Sequence, residues 1–129
     1  MPAILLTTHA DAPVEEVWKL LHDPARFPEW WAGVETVEVG RPGDFTIWPT
    51  GYPDFPMAQR VAAEPGTGRV VVSCLVSDLV FEWRLRADGD STDIEMTAEL
   101  PEREAHRVDD QRRLLAESLE NLARLAATR

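Results

Sequence analysis

The sequence predicts an α+β fold in which an antiparallel sheet carries two short helices after its first strand and one long C-terminal helix. Three observations lead there. Residues 12–33 hold two proline-started segments with helical spacing and three of the chain's five tryptophans. From Val34 to Leu100 the apolar period changes to two, with turn residues between the runs. From Pro101 to Ala127 the period is helical again.

Each element has its own reason. Ile4 to Ala10 is apolar and β-branched enough for a first strand. Pro13 suits the first helical position, because its missing N–H would be unpaired there. Glu15 and Glu16 follow in the first turn, where carboxylates favour the positive end of the helix dipole. Val14, Val17, Trp18 and Leu21 fall at i, i+3, i+4 and i+7, so one apolar stripe faces inward and the helix ends near His22. Asp23 caps a second, very short helix started by Pro24, with Phe27, Trp30 and Trp31 on one side and Gly33 stopping it.

The strands follow. Val34–Val39 turns at Gly40-Arg41-Pro42-Gly43 into Phe45–Trp48, and a Pro/Gly-rich loop from Pro49 to Pro56 leads to Met57–Ala63. Glu64-Pro65-Gly66-Thr67-Gly68 turns the chain into Val70–Leu75. Leu79, Phe81, Trp83 and Leu85 alternate with Val80, Glu82, Arg84 and Arg86, an inside/outside strand. After Asp88-Gly89-Asp90, Ile94, Met96, Ala98 and Leu100 alternate in the same way. Short turns between such strands produce an antiparallel sheet with one wet face. The last 26 or so residues, read as one helix from Pro101, would span roughly 39 Å. Leu114, Leu115, Leu119, Leu122, Leu125 and Ala126 form a core face in its second half. Its first half offers only Ala105 and Val108 among charged residues, so that half should face something wet, as the mouth of a cavity would be.

Size and charge narrow the function. A length of 129 residues fits one domain, and 44% hydrophobic with 28% charged content is ordinary for a globular chain. There is no apolar run of membrane-spanning length, and Met1-Pro2-Ala3-Ile4-Leu5-Leu6 lacks the form of a secretory signal, so the expected location is the cytoplasm. The single Cys74 agrees with a reducing compartment. One Cys and three scattered His residues offer no structural metal site, and no Gly-rich phosphate loop follows a strand, so no metal or cofactor is expected. Thirteen basic against 23 acidic residues, a formal charge of −10, argues against nucleic acid and anionic membrane surfaces as partners. Nothing in the sequence sets an oligomeric state.

The motifs Ala12-Pro13, Val17-Trp18, Asp23-Pro24, Phe27-Pro28, Trp30-Trp31, Gly33-Val34 and Glu64-Pro65 stand in a recognisable order. With Trp83, Ser91-Thr92, Leu115, Leu119 and Leu122, they make the whole chain resemble the helix-grip fold of the START-like (SRPBCC) superfamily. Polyketide cyclases/dehydrases and the major birch pollen allergen are members. The resemblance implies a strongly curved antiparallel sheet wrapped around the C-terminal helix, with an elongated pocket between them. It does not choose among enzymes, lipid carriers and interaction modules. Combined with the strand phases, it places Gln59, Val61, Val70, Val72, Cys74, Phe81, Trp83, Leu85, Ile94 and Met96 on the inner wall. Such an apolar, aromatic wall fits a small hydrophobic ligand, aromatic, polyketide or lipid-like.

Catalytic candidates are few. Tyr52, the only tyrosine, lies on a loop expected at the pocket entrance, either as a donor over a bound carbonyl or as a surface residue. His106, on the polar half of the last helix, is either a titrating group at the mouth or a solvated partner of Glu102. Asp109 with Arg112 or Arg113 reads as a surface ion pair or as a fork for a ligand carboxylate. Arg60 falls on the outward phase, Gln59 on the inward one, and Trp48 faces outward if Phe45 and Ile47 face in. The ligand set is therefore Tyr52, Gln59, Val72, Cys74, Phe81, Trp83, Met96 and His106. The functions in view are a small-molecule binder, a cyclase/dehydrase-type enzyme using the same pocket, and a protein-interaction domain.

Overall fold

The computed structural model describes residues 2–128. Seven strands, β1 (Ala3–Ala10), β2 (Val34–Val39), β3 (Asp44–Pro49), β4 (Met57–Glu64), β5 (Arg69–Cys74), β6 (Val80–Asp88) and β7 (Ser91–Glu99), form one sheet in the order β1-β7-β6-β5-β4-β3-β2. Every neighbouring pair is antiparallel. Between β1 and β2 stand α1 (Val14–Leu21) and a 3₁₀ helix, Pro24–Glu29. After β7 come a second 3₁₀ helix, Glu102–Arg107, and α2 (Val108–Ala127). The sheet curves around α2, which packs on β1 and α1. This is the helix-grip architecture of the α+β class. No helix among the described residues is long and apolar enough to cross a membrane.

Strand register follows the alternation in the sequence. Trp83 lies opposite Val70 on β5 and Met96 on β7, and all three are buried. Glu82 and Arg84, one residue to either side, face the other way. There Arg69 bridges Glu64 and Glu82, and Glu82 also receives Arg84. Burial pushes the Glu82 carboxyl up, but the hydrogen bonds from Arg69 and Arg84 outweigh it and hold the group below the usual carboxylate range. At the β4–β5 turn Gly68 has φ +67°, and a Cβ there would lie 2.9 Å from the Leu85 carbonyl oxygen.

Two expected helices take a different form. The segment after Asp23 is 3₁₀: the Asp23 carboxylate accepts the Ala25 N–H at 3.1 Å, and Pro28 inside it has no N–H for an α ladder. The C-terminal segment is not one helix from Pro101. Residues 102–107 bury no side chain and close i→i+3, beginning with Glu104 N–H to Pro101 O at 2.8 Å. Without an apolar stripe nothing holds that segment in register with α2, so α2 has 20 residues and a length of about 30 Å.

The core is one cluster in which Phe27, Trp30, Trp31, Phe45, Phe81 and Trp83 meet Leu115, Leu119 and Leu122 of α2. Buried and half-buried hydrogen bonds between side chains and backbone tie the helical layer together and to the sheet. Trp30 Nε1 donates to Leu20 O (2.9 Å) and Thr92 Oγ1 to Ala12 O (2.8 Å). Ser118 Oγ accepts the Ala32 N–H at 2.9 Å while donating to Leu114 O, and Asn121 Nδ2 donates to Trp30 O at 3.2 Å.

Candidate functional site

The inward phases of β3 to β6 converge with the start of α2 on a cavity of about 140 Å³. Ile47 and Pro49 come from β3, Met57 and Gln59 from β4, Cys74 from β5 and Phe81 from β6. Trp31, Ala32, Gly33 and Val34 close it where the first 3₁₀ helix runs into β2. Ser77 and Leu79 come from the β5–β6 turn. Arg107, Gln111 and Leu114 project from one face of the last helical segment, at spacings of four and three.

Polar groups in this wall are few. Gln59 is 3% exposed and lies opposite Cys74 in the β4–β5 register. Its Nε2 donates to Cys74 Sγ at 3.1 Å and to Met57 O at 3.5 Å, while Oε1 receives no donor among the described residues. Among the described residues Arg107 is the one charged residue in the lining. Its Nη1 donates to Glu104 Oε1 at 2.6 Å, and that hydrogen bond holds the Glu104 carboxyl below its ordinary range. Such a site can exclude water from an apolar group and orient one polar end.

Of the residues expected here, the structure brings Gln59, Cys74 and Phe81 to the cavity. Val72, Trp83 and Met96 face the same way but are buried in the packed core, not in the lining. Val61 is half-buried against that core, and Val70, Leu85 and Ile94 are inside it. Tyr52 is 64% exposed and outside the lining, although Pro49 and Met57, at the two ends of its loop, belong to it. His106 is exposed and also outside it, the place at the cavity being taken by its neighbour Arg107. The Asp109 ion pair is replaced by Arg113 with Asp110. Arg60 is exposed and pairs with Asp44, and half-buried Trp48 lies across from Thr36 beside Glu35 and Pro53 on a shallow outer groove.

Trp31, Met57, Arg107, Gln111 and Leu114 were missed. Met57 was findable two residues before Gln59 on one strand face, and Arg107, Gln111 and Leu114 as an i, i+4, i+7 set. The fold also gathers His9, Asp88 and Asp93 on the outer surface, with ligand atoms within 4.8 Å of one another and all three residues exposed. His9 Nδ1 lies 2.8 Å from Asp93 Oδ1, and this hydrogen bond raises the imidazole above its ordinary value.

Similar architecture recurs in solved structures. The di-domain ARO/CYC BexL from the BE-7585A biosynthetic pathway matches at TM-score 0.78 and 18% identity over 96% of this chain and 46% of that one. The di-domain ARO/CYC StfQ from the steffimycin biosynthetic pathway matches at TM-score 0.74 and 20% identity, over 96% and 44%. A protein of Nitrosospira multiformis matches along nearly its whole length, at TM-score 0.78, 18% identity and coverage of 98% and 97%. The chain thus spans about half the length of the two di-domain proteins. No curated protein matches the sequence. A sheet curved around a C-terminal helix, with a small apolar cavity between them, agrees with what the sequence profile finds over residues 1–127: the chain belongs to the polyketide cyclase/dehydrase and lipid transport family.

Proposed function

We propose that this protein binds a small, largely apolar molecule, aromatic or lipid-like, in the cavity between sheet and α2. The observation that carries the reading is the composition of the wall. Apolar and aromatic side chains line the space, and among the described residues only Gln59, Ser77, Arg107 and Gln111 add polar groups beyond the thiol of Cys74. The family description, which includes lipid transport, supports the same reading. Among the described residues no histidine, tyrosine or carboxylate stands in the lining, which favours holding a ligand over moving its protons.

The test is titration of freshly purified protein with a hydrophobic fluorescent probe, beside native mass spectrometry for a co-purifying small molecule. Binding should saturate at one site per chain and be lost in Leu114→Trp, which places an indole in the cavity. Binding that does not saturate, or that Leu114→Trp leaves unchanged, refutes the reading. Cyclase/dehydrase-type turnover in the same cavity would rest on shape. Tyr52→Phe and His106→Ala would then leave it unchanged, since neither residue reaches the wall.

A further inference from the structure

We infer that the cavity selects a single aromatic ring bearing one anionic group, a benzoate-like acid; this rests on the cavity being a ligand site. Size is the first argument. Sites for drug-sized ligands run to about 300–1,000 Å³, whereas an apolar cavity of about 150 Å³ takes one benzene. At about 140 Å³, and partly open to solvent, this cavity has room for one ring within its walls.

The back wall does not yield. Trp31 meets Phe81 edge-on at 5.1 Å and 84°, and it is held from behind by Trp30, stacked at 5.6 Å, and by Trp83, edge-on at 5.1 Å. Turning the Trp31 indole aside would break all three contacts in a close-packed core. Trp31 therefore sets the ring count, and its aromatic wall suits a flat ring.

Charge is the second argument. In a chain with 23 acidic and 13 basic residues, the lining holds one charge among the described residues, and it is the cation Arg107. Glu104 occupies one of its five N–H donors. Among the described residues no other acceptor meets the planar fork of half-exposed Arg107, which leaves it open to a carboxylate.

The experiment uses the whole protein with benzoate, benzyl alcohol and 2-naphthoate. Calorimetry measures affinity, and the alkylation rate of Cys74, the chain's one cysteine and part of the wall, reports occupancy. Benzoate should slow alkylation saturably, and 2-naphthoate should bind about tenfold or more weaker. Arg107→Gln should weaken benzoate about tenfold and leave benzyl alcohol within about twofold. Trp31→Ala should reverse the order of benzoate and 2-naphthoate. Trp31 belongs to the core, so circular dichroism checks that variant, and the wild-type ratio decides the ring count without it.

Equal or tighter binding of 2-naphthoate by the wild-type protein overturns the ring limit. Benzoate affinity unmoved in Arg107→Gln overturns the anion preference. Both results leave the cavity as a binding site. If no aromatic slows alkylation while the fluorescent probe still binds saturably, this inference falls alone; if the probe also fails, both fall.

Discussion

Replacing Trp83 with alanine tests the packing on which the cavity depends. Trp83 is 1% exposed, meets Trp30 edge-on at 5.8 Å and Trp31 at 5.1 Å, and lies stacked beside Phe81 at 6.2 Å. Truncation removes about 150–200 Å² of buried apolar surface, which at about 25 cal/mol per Å² is about 4–5 kcal/mol. Trp→Ala changes in cores cost about 3–5 kcal/mol. We expect a loss of about 4 kcal/mol, a large part of the roughly 5–15 kcal/mol that holds a domain folded. The melting temperature should fall by about 10–20 °C. Urea unfolding followed by far-ultraviolet circular dichroism is the assay, because fluorescence changes with the tryptophan itself. The midpoint should shift at constant slope. Trp48→Ala, half-buried on the outer face, is the comparison and should cost less. A loss below about 1 kcal/mol for Trp83→Ala would mean that the cluster is not packed as described, and the fixed back wall would fail with it.

Gly68→Ala should destabilise by about 1–3 kcal/mol, because the residue sits at φ +67° and its Cβ would press on the Leu85 carbonyl; Gly66→Ala, in open space, is the control, and equal urea midpoints for the two would refute this. Thr92→Val should cost about 1–3 kcal/mol by leaving the buried Ala12 carbonyl without its donor, with Thr92→Ser restoring part of the loss in the same assay. The hydrogen bond from Asp93 raises the His9 pKa, so the pair's contribution is complete below the ordinary value of 6.5 and disappears as pH rises through the higher folded value. His9→Gln should therefore lower the melting temperature at pH 6 and not at pH 9, while an NMR titration of the imidazole should read above 6.5; a pH-independent effect would refute the linkage.

The sheet was legible wherever one strand face is buried and the other wet. Phe81, Trp83 and Leu85 against Glu82, Arg84 and Arg86 admit one register, since a slip of one residue would bury the charges. The 3₁₀ segment at 102–107 was not legible, because Glu, Arg and Ala favour an α-helix locally and only the absence of a burial partner decides otherwise. The site was half legible for a related reason. Period two tells which way Gln59, Phe81 and Trp83 point but not how deep each lies. Depth was decided by Trp30 and Trp31, which fill the space in front of Trp83 and leave the cavity to Phe81. The exchange of His106 for Arg107 has the same origin, since the change from 3₁₀ to α winding at Arg107 resets which residue faces inward.

That winding change divides the last segment by local stability. Residues 102–107 are held between two anchors, Leu100, whose N–H bonds Pro2 O, and Val108, packed against the core. Between them the segment relies on exposed contacts such as Arg103 with Asp78 and on short i→i+3 bonds. Its local unfolding should cost far less than global unfolding, while the amide protons of buried Leu115, Leu119 and Leu122 should exchange only when the whole core opens. Hydrogen exchange along this stretch should therefore step sharply at Val108. Because Arg107 lies at that step, the only charge in the cavity wall among the described residues sits on the last residue of the weakly held segment.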